Sequence, residues 1–166
     1  SKYSVNKGLW GTSVGGQETL TSHMELPEEA FLDPVSKNES EVITLEFLRG
    51  EPIIFNGKKY KDKIKLIKEL DEYASGFGVG RDVHLGETII GIKGRVGFEA
   101  AAARVIIEAH LALEKHVLTR WQLHWKEQIG QWYGMFVHEA QYLEPVMRDL
   151  EQFLDSSQKN VSGRVV

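Results

Sequence analysis

The order in which strand and helix patterns occur along the chain limits its fold more than any other feature of the sequence. Alternating and β-branched segments are concentrated before residue 98, with one helical segment among them, and three helical segments then follow in succession. Parallel α/β folds instead alternate strands with helices from end to end. The sequence therefore predicts an α+β fold, in which antiparallel β hairpins pack against a C-terminal set of three helices.

Two β hairpins are predicted from these patterns. Residues 42–48 and 52–55 are rich in β-branched side chains, with turn-forming residues between them and again at Asn56-Gly57. A second pair of strands is predicted at about 82–86 and 88–94, joined at Gly86-Glu87. Residues 1–40, rich in glycine, serine and threonine, predict an ordered loop with a short turn of helix. So long a loop within a domain is often functional.

Helices are predicted where apolar residues recur at three- to four-residue spacing, over 62–76, 99–117, 119–138 and 145–157. Asp62 is suited to cap the first helix and Pro145 to begin the last. The 99–117 helix is apolar almost all round, which predicts burial on most of its sides. The third helix carries a stripe that includes Trp121, Trp125 and Trp132, typical of a core or a subunit interface.

Composition and length exclude several classes of protein. A length of 166 residues fits one domain, predicted to span residues 1–166. The absence of cysteine excludes disulfides and thiolate metal sites. A net charge of −4 argues against nucleic acid as a partner, and no apolar run is long enough to suggest a membrane span. A cytoplasmic location is expected. The start at Ser1 and the end within a β-favouring run, 161–166, suggest part of a longer protein.

The sequence contains no motif typical of metal binding or of nucleotide-phosphate binding. His124 and Glu127 would share a helix face, but neither this spacing nor that of the other histidines fits a known ligand set, so no metal site is predicted. The glycines at 76, 78 and 80 follow a helix rather than a strand, which indicates helix termination and not a dinucleotide site. The chain therefore has no recognisable site of its own for ATP phosphates.

Three features remain as candidates for binding. Ser4 and Ser13 lie among glycines that let a backbone approach a small ligand, and their hydroxyls suit a zwitterionic head group, although ordinary turn serines are the common alternative. Lys93 and Arg95 occupy alternate strand positions, so they share a face and favour an anion between them. Phe98, with a carboxylate beside it, lies at a strand-to-helix junction.

Taken in order, these residues resemble the C-terminal half of the argininosuccinate synthase family over nearly the whole chain. The resemblance rests on several short stretches: 3–16, 78–81, 90–95, Phe98-Glu99, Ala109-His110 and 157–163. It implies an ATP-dependent ligase of arginine biosynthesis that joins citrulline to aspartate. The serine spacing implies that Ser4 and Ser13 bind citrulline. Phe98 stands where the family has a tyrosine.

Two residues of this chain are alternatives for the position of the family's citrulline-binding glutamate. An ungapped match places Gly86 at that position, whereas a one-residue slip, absorbed by a bulge in the hairpin, brings in Glu87. Glu87 is the favoured candidate. The predicted citrulline site is therefore Ser4, Ser13, Glu87 and Phe98, with no catalytic side chain assigned.

The resemblance also implies partners. Citrulline and aspartate are the expected substrates, and ATP with Mg²⁺ is expected to be bound mainly by an N-terminal half that this chain lacks, so the chain alone is predicted to be inactive. The family's tetramers and the tryptophan stripe together predict a homo-oligomer, a tetramer for the full-length enzyme and a dimer for this chain. The alternative is a stand-alone amino-acid-binding or oligomerisation module without catalysis.

Overall fold

The computed structural model describes residues 2–166, and within them eight strands form two four-stranded antiparallel sheets that accompany four α-helices. The predicted α+β class is confirmed. In chain order the elements are β1 (Ser4–Gly8), β2 (Gly11–Gly15), β3 (Leu45–Leu48), β4 (Glu51–Phe55), β5 (Lys58–Lys59), α1 (Lys63–Ser75), β6 (Arg81–Glu87), β7 (Lys93–Glu99), α2 (Ala101–Val117), α3 (Arg120–His138), α4 (Val146–Gln158) and β8 (Gly163–Val165).

The first sheet has the strand order β1-β2-β7-β6. Its β1–β2 hairpin corrects the prediction that residues 1–40 form a loop, although two short 3₁₀ helices at Gln17–Leu20 and Glu28–Ala30 agree with the predicted helical turn. The hairpin forms because β2 pairs with β7, which is distant in sequence, and buries Val14 completely. The two strands of this hairpin were not predicted because they contain glycines and serines, which typically mark turns.

The β6–β7 hairpin turns later than predicted. Strand β6 ends at Glu87 and β7 begins at Lys93, so the connecting turn lies at 88–92 and not at Gly86-Glu87. Thr88 closes the turn, since its carbonyl accepts from the Gly91 N–H and its hydroxyl accepts from the Ile92 N–H. The isoleucines inside this turn are exposed, which explains why their β-forming character did not extend the strand.

The second sheet has the order β5-β4-β3-β8 and holds one side of the hydrophobic core. The predicted β3–β4 hairpin is confirmed, and β8 returns from the end of the chain to pair with β3, Leu45 opposite Val165. Side chains of this sheet, α1 and α2 form one buried cluster: Leu45, Phe47, Phe55, Leu66, Ile67, Leu70, Ala102, Ile106 and Leu113, with others at its edge.

The helices occupy the predicted segments, and Asp62 caps α1 by accepting from the N–H groups of Ile64 and Lys65. The prediction that α2 is buried on most sides is wrong, because only one face meets α1 and the second sheet while Ile107 is 59% exposed. Helix α3 has no buried residue among those described. Across residues 2–166, no helix combines the length and apolar character needed to cross a lipid bilayer.

Candidate functional site

The first sheet has one covered face and one open face. Residues after β2 cross the covered face: Leu26 lies so close to Gly97 that a Cβ there would be 2.0 Å from its Cδ1. Arg95 donates to the carbonyls of Glu18 and Thr21, at 3.1 and 2.9 Å. These contacts use one side of the sheet for folding and leave the other side available to a ligand.

The open face is defined by the strand register. Paired residues point to the same side of a sheet, so Asn6, Ser13, Phe98 and Asp82 form one row across the four strands. The other strand residues on this side follow from the same alternation: Ser4, Gly8, Gly11, Gly15, His84, Gly86, Gly94 and Val96. Most are glycines or carry short polar side chains, so the centre of the face is a shallow depression and hydrogen-bonding groups surround it.

A hollow of about 550 Å³ lies on the open face. Its lining includes Asn6, Ser13, His84 and Phe98, and Trp10 from the β1–β2 turn forms one wall with its side chain 54% exposed. A hollow of this size, walled by two aromatic rings with a few polar groups between them, has the features of a small-molecule site.

Three of the four predicted site residues come together on the open face. Ser13 lies directly opposite Phe98, and Ser4 is the diagonal neighbour of Ser13 across the β1–β2 hairpin. Diagonal neighbours of this kind have Cα atoms about 7–8 Å apart, within the span of one amino-acid head group. The nine-residue serine spacing therefore places both hydroxyls on one side of a hairpin.

Glu87, the fourth predicted residue, points to the covered side. It pairs with Lys93, and the Lys93 ammonium lies 2.7 Å from its carboxylate. That hydrogen bond lowers the pKa of the Glu87 carboxyl from its ordinary value. The β6–β7 register runs from Arg81 to Glu87 without the bulge that the slip requires. Because a one-residue step reverses the face, Gly86, and not Glu87, lies on the open face.

The side chains of the other charged candidates lie on the covered side, where each already has a partner. Lys93 and Arg95 do share a face, as expected, but the first pairs with Glu87 and the second with backbone carbonyls. Glu99 is 6% exposed and accepts from the N–H groups of Leu32 and Asp33. Arg95 and Glu99 thus hold residues 18–33 against the sheet, and none of the three side chains lines the hollow.

Sequence reasoning missed Asn6, Trp10, Asp82 and His84 as site residues. All four lie on the open face or at its rim. The signal that could have found them is the alternation along β1 and β6, since Asn6 is two residues from Ser4 and His84 is two from Gly86. On β1 it went unused because residues 1–40 were interpreted as a loop, and on the predicted strand at 82–86 only Gly86 and Glu87, at its end, were considered as site residues.

The open face does not fit ATP or Mg²⁺. Its strand residues include no lysine or arginine to neutralise a triphosphate, and Asp82 would repel one. Among residues 2–166, no three histidine, aspartate or glutamate side chains converge as a metal-binding group. The face instead suits a ligand without phosphates, held by hydroxyl, amide and imidazole groups.

Sequence comparisons with known proteins match nearly the whole chain. Residues 3–166 match the family described as the arginosuccinate synthase C-terminal domain. Relatives named argininosuccinate synthase include those of Methanocaldococcus jannaschii, 37% identical over 99% of this chain and 42% of the relative, and of Metallosphaera sedula, 38% identical over the same shares. The Pyrococcus furiosus relative is 36% identical over 98% of this chain and 40% of its own length. The chain thus spans about two fifths of the length of these relatives.

Proposed function

The chain belongs to the argininosuccinate synthase family, whose C-terminal domain it represents, and we propose that its open face binds citrulline for ATP-dependent ligation to aspartate. The observation that carries the proposal is that Ser4 and Ser13, from one hairpin, meet Phe98, from a strand distant in sequence, on that face. The family itself, a ligase family of arginine biosynthesis, makes citrulline the ligand to test first.

The role of this domain in such a reaction is positioning. In the proposed reaction the ureido oxygen of citrulline attacks the α-phosphate of ATP and releases pyrophosphate, and the aspartate amine then displaces AMP from the resulting adenylate. The serine hydroxyls and the Asn6 amide can hold the amino-acid head group, while Phe98 and Trp10 limit its movement from the sides. Holding a reactant in one orientation accelerates a reaction without a side-chain nucleophile. ATP and Mg²⁺ are bound by the remainder of the enzyme.

Replacement of Ser13 by alanine should weaken citrulline binding to this chain. Loss of a hydrogen bond to a charged head group costs about 1–3 kcal/mol, a roughly 5- to 150-fold higher Kd. Backbone amide shifts during a citrulline titration measure this directly, and in the unchanged chain they should concentrate on the four strands of the first sheet, β1, β2, β7 and β6. The control is Ser40→Ala, an exposed serine away from the open face. Shifts elsewhere, or equal affinity in the two variants, would contradict the assignment.

The 166-residue chain alone should make no argininosuccinate from ATP, citrulline and aspartate. Nothing on the open face suits the phosphates, and without bound ATP the activation step loses its positioning. A coupled AMP-release assay on protein from a host lacking the enzyme checks this, and turnover above background would overturn it. Exchanging residues 3–166 for the matched part of the Methanocaldococcus relative should give an active chimera, whereas a module without catalysis would give an inactive one.

We also propose that α3 forms a contact between copies of this chain. Trp121, Trp125 and Trp132 are 55–63% exposed, on a helix with no buried residue among those described. Tryptophan is enriched at the centres of interfaces, and contacts between identical chains are most often two-fold.

Light scattering at micromolar concentration should therefore give a mass near twice 18.8 kDa. Trp125→Glu with Trp132→Glu should return the mass to that of one chain, because each charge would be buried without a partner. Val42→Glu, at a side chain already 81% exposed, is the matched control and should leave the dimer intact. A monomer at all concentrations would refute the contact.

A further inference from the structure

His84 occupies the centre of the β6 side of the open face. It pairs with Val96 in the β6–β7 register, lies on the same side of the sheet as Ser13 and Phe98, and lines the same hollow. Its position in the fold is therefore that of a residue in contact with whatever the hollow binds.

The absence of a side chain at Gly86 makes room for this imidazole. A Cβ at Gly86 would lie 2.4 Å from Nε2 of His84, and 3.2–3.3 Å from two carbons of the ring. The ring thus lies over Gly86 and fills the space that a side chain there would take. Gly86 therefore affects the candidate site by giving the His84 ring room, and not through a side chain of its own.

The polar groups of the open face divide into two ends. Hydroxyl and amide groups of Ser4, Asn6 and Ser13 lie on β1 and β2, while Asp82 and His84 lie on β6. Between them are the apolar side chains of β7. From β2 to β6 is two strand spacings, about 9.5 Å, which an extended citrulline can span.

The hydrogen-bonding groups at the two ends favour one orientation of such a ligand. The β1–β2 end has three neutral side chains that can both donate and accept, as a zwitterionic head group requires, whereas Asp82 and His84 at the β6 end offer acceptors that suit the ureido N–H groups. The serine hydroxyls are donors that a carboxylate can accept from. The α-carboxylate therefore belongs at the β1–β2 end, and the neutral, donor-rich ureido end belongs at β6.

We propose that His84 hydrogen-bonds the ureido end of the bound amino acid and determines the preference for a ureido side chain over an apolar one. An imidazole nitrogen can accept from a ureido N–H, and a site built to pair such a group discriminates against analogues that lack it. This inference rests on the proposed binding of citrulline to the open face. It gives a citrulline contact on β6 to an imidazole, whereas the sequence had suggested the Glu87 carboxylate as a citrulline-binding group.

The test compares citrulline with norvaline, which has the same stem without the ureido group, by titration of the 166-residue chain. His84→Ala should raise the Kd for citrulline about 10-fold and leave that for norvaline unchanged. Gly86→Ala should do the same by displacing the ring, since the atoms it would meet belong to a side chain that can move. His138→Ala, on α3, is the control and should change neither.

The double variant His84→Ala with Gly86→Ala should bind citrulline no more weakly than His84→Ala alone, because the glycine acts only through the ring. Additive losses, or a His84→Ala variant that keeps the preference for citrulline, would overturn the assignment. If Ser13→Ala abolishes citrulline binding while His84→Ala does not weaken it, the proposed function stands and this inference fails. If the unchanged chain binds no citrulline, the proposed function itself fails.

Discussion

Replacing Lys126 with methionine should lower the free energy of unfolding by about 3 kcal/mol, the cost of leaving a buried carboxylate without its counter-charge. Glu114 on α2 is 1% exposed, and the ammonium of Lys126 on α3 lies 2.9 and 3.0 Å from its two oxygens. The amide of Gln158 donates to the same carboxylate at 2.7 Å, but it brings no charge. Urea denaturation followed by tryptophan fluorescence measures the loss.

Two further variants identify the cause of that loss. Adding Glu114→Gln to Lys126→Met should recover most of the stability, because the neutral amide needs no counter-charge and can still accept from Gln158. Arg104→Met breaks the Arg104–Glu108 pair, whose side chains are both more than half exposed, and should cost less than about 0.5 kcal/mol. If Lys126→Met costs as little as Arg104→Met, Glu114 is not held by charge.

Replacing Gly80 with alanine should cost about 3 kcal/mol. Its φ of +81° is unfavourable for any residue with a Cβ, and that Cβ would lie 2.5–2.7 Å from backbone atoms of Ala100 and Ala101. The crowding cannot relax by rotating a side chain. The carbonyl of Gly80 also accepts from the Ala100 N–H at 3.0 Å, which joins the start of β6 to the start of α2.

Gly91→Ala is the matched control for Gly80→Ala. Gly91 has a similar φ of +77°, but among residues 2–166 no neighbouring atom lies within 4 Å of the position that a Cβ would occupy there. It should therefore show the conformational cost alone, about 1 kcal/mol. Thermal unfolding of the two variants separates the two contributions, and equal losses would mean that close approach to α2 contributes nothing.

The helices and the β3–β4 hairpin could be predicted from sequence because their signals are local. The predicted helix at 62–76 differs from α1 by one residue at each end, since the cap at Asp62 and the glycine at 76 are both adjacent to it. The β1–β2 hairpin could not be found in this way. Its stability depends on pairing with β7 and on the burial of Val14 beneath residues that follow it, and neither contact is visible in a short window.

The side of the sheet on which a candidate residue lies was predictable where residue spacing alone decides it. Ser4 and Ser13 lie on one side of their hairpin, and Phe98 joins them because β2 pairs with β7 in the required register. Glu87 depended on where a turn begins, and a shift of one residue there reverses the face. His84 was not predicted either, because its position over Gly86 is visible only in the three-dimensional arrangement.

The pairing of β8 with β3 has a consequence for the timing of folding during synthesis. Leu48 and Gly163 are separated by about 115 residues of chain, which a ribosome adds in roughly 6–23 seconds at about 5–20 residues per second. Throughout that interval β3 has one unpaired edge, and Leu45 and Phe47 lack part of their final cover. An unpaired edge is a template for association with other chains. The nascent chain therefore leaves this edge open to association with other chains until β8 has been synthesised.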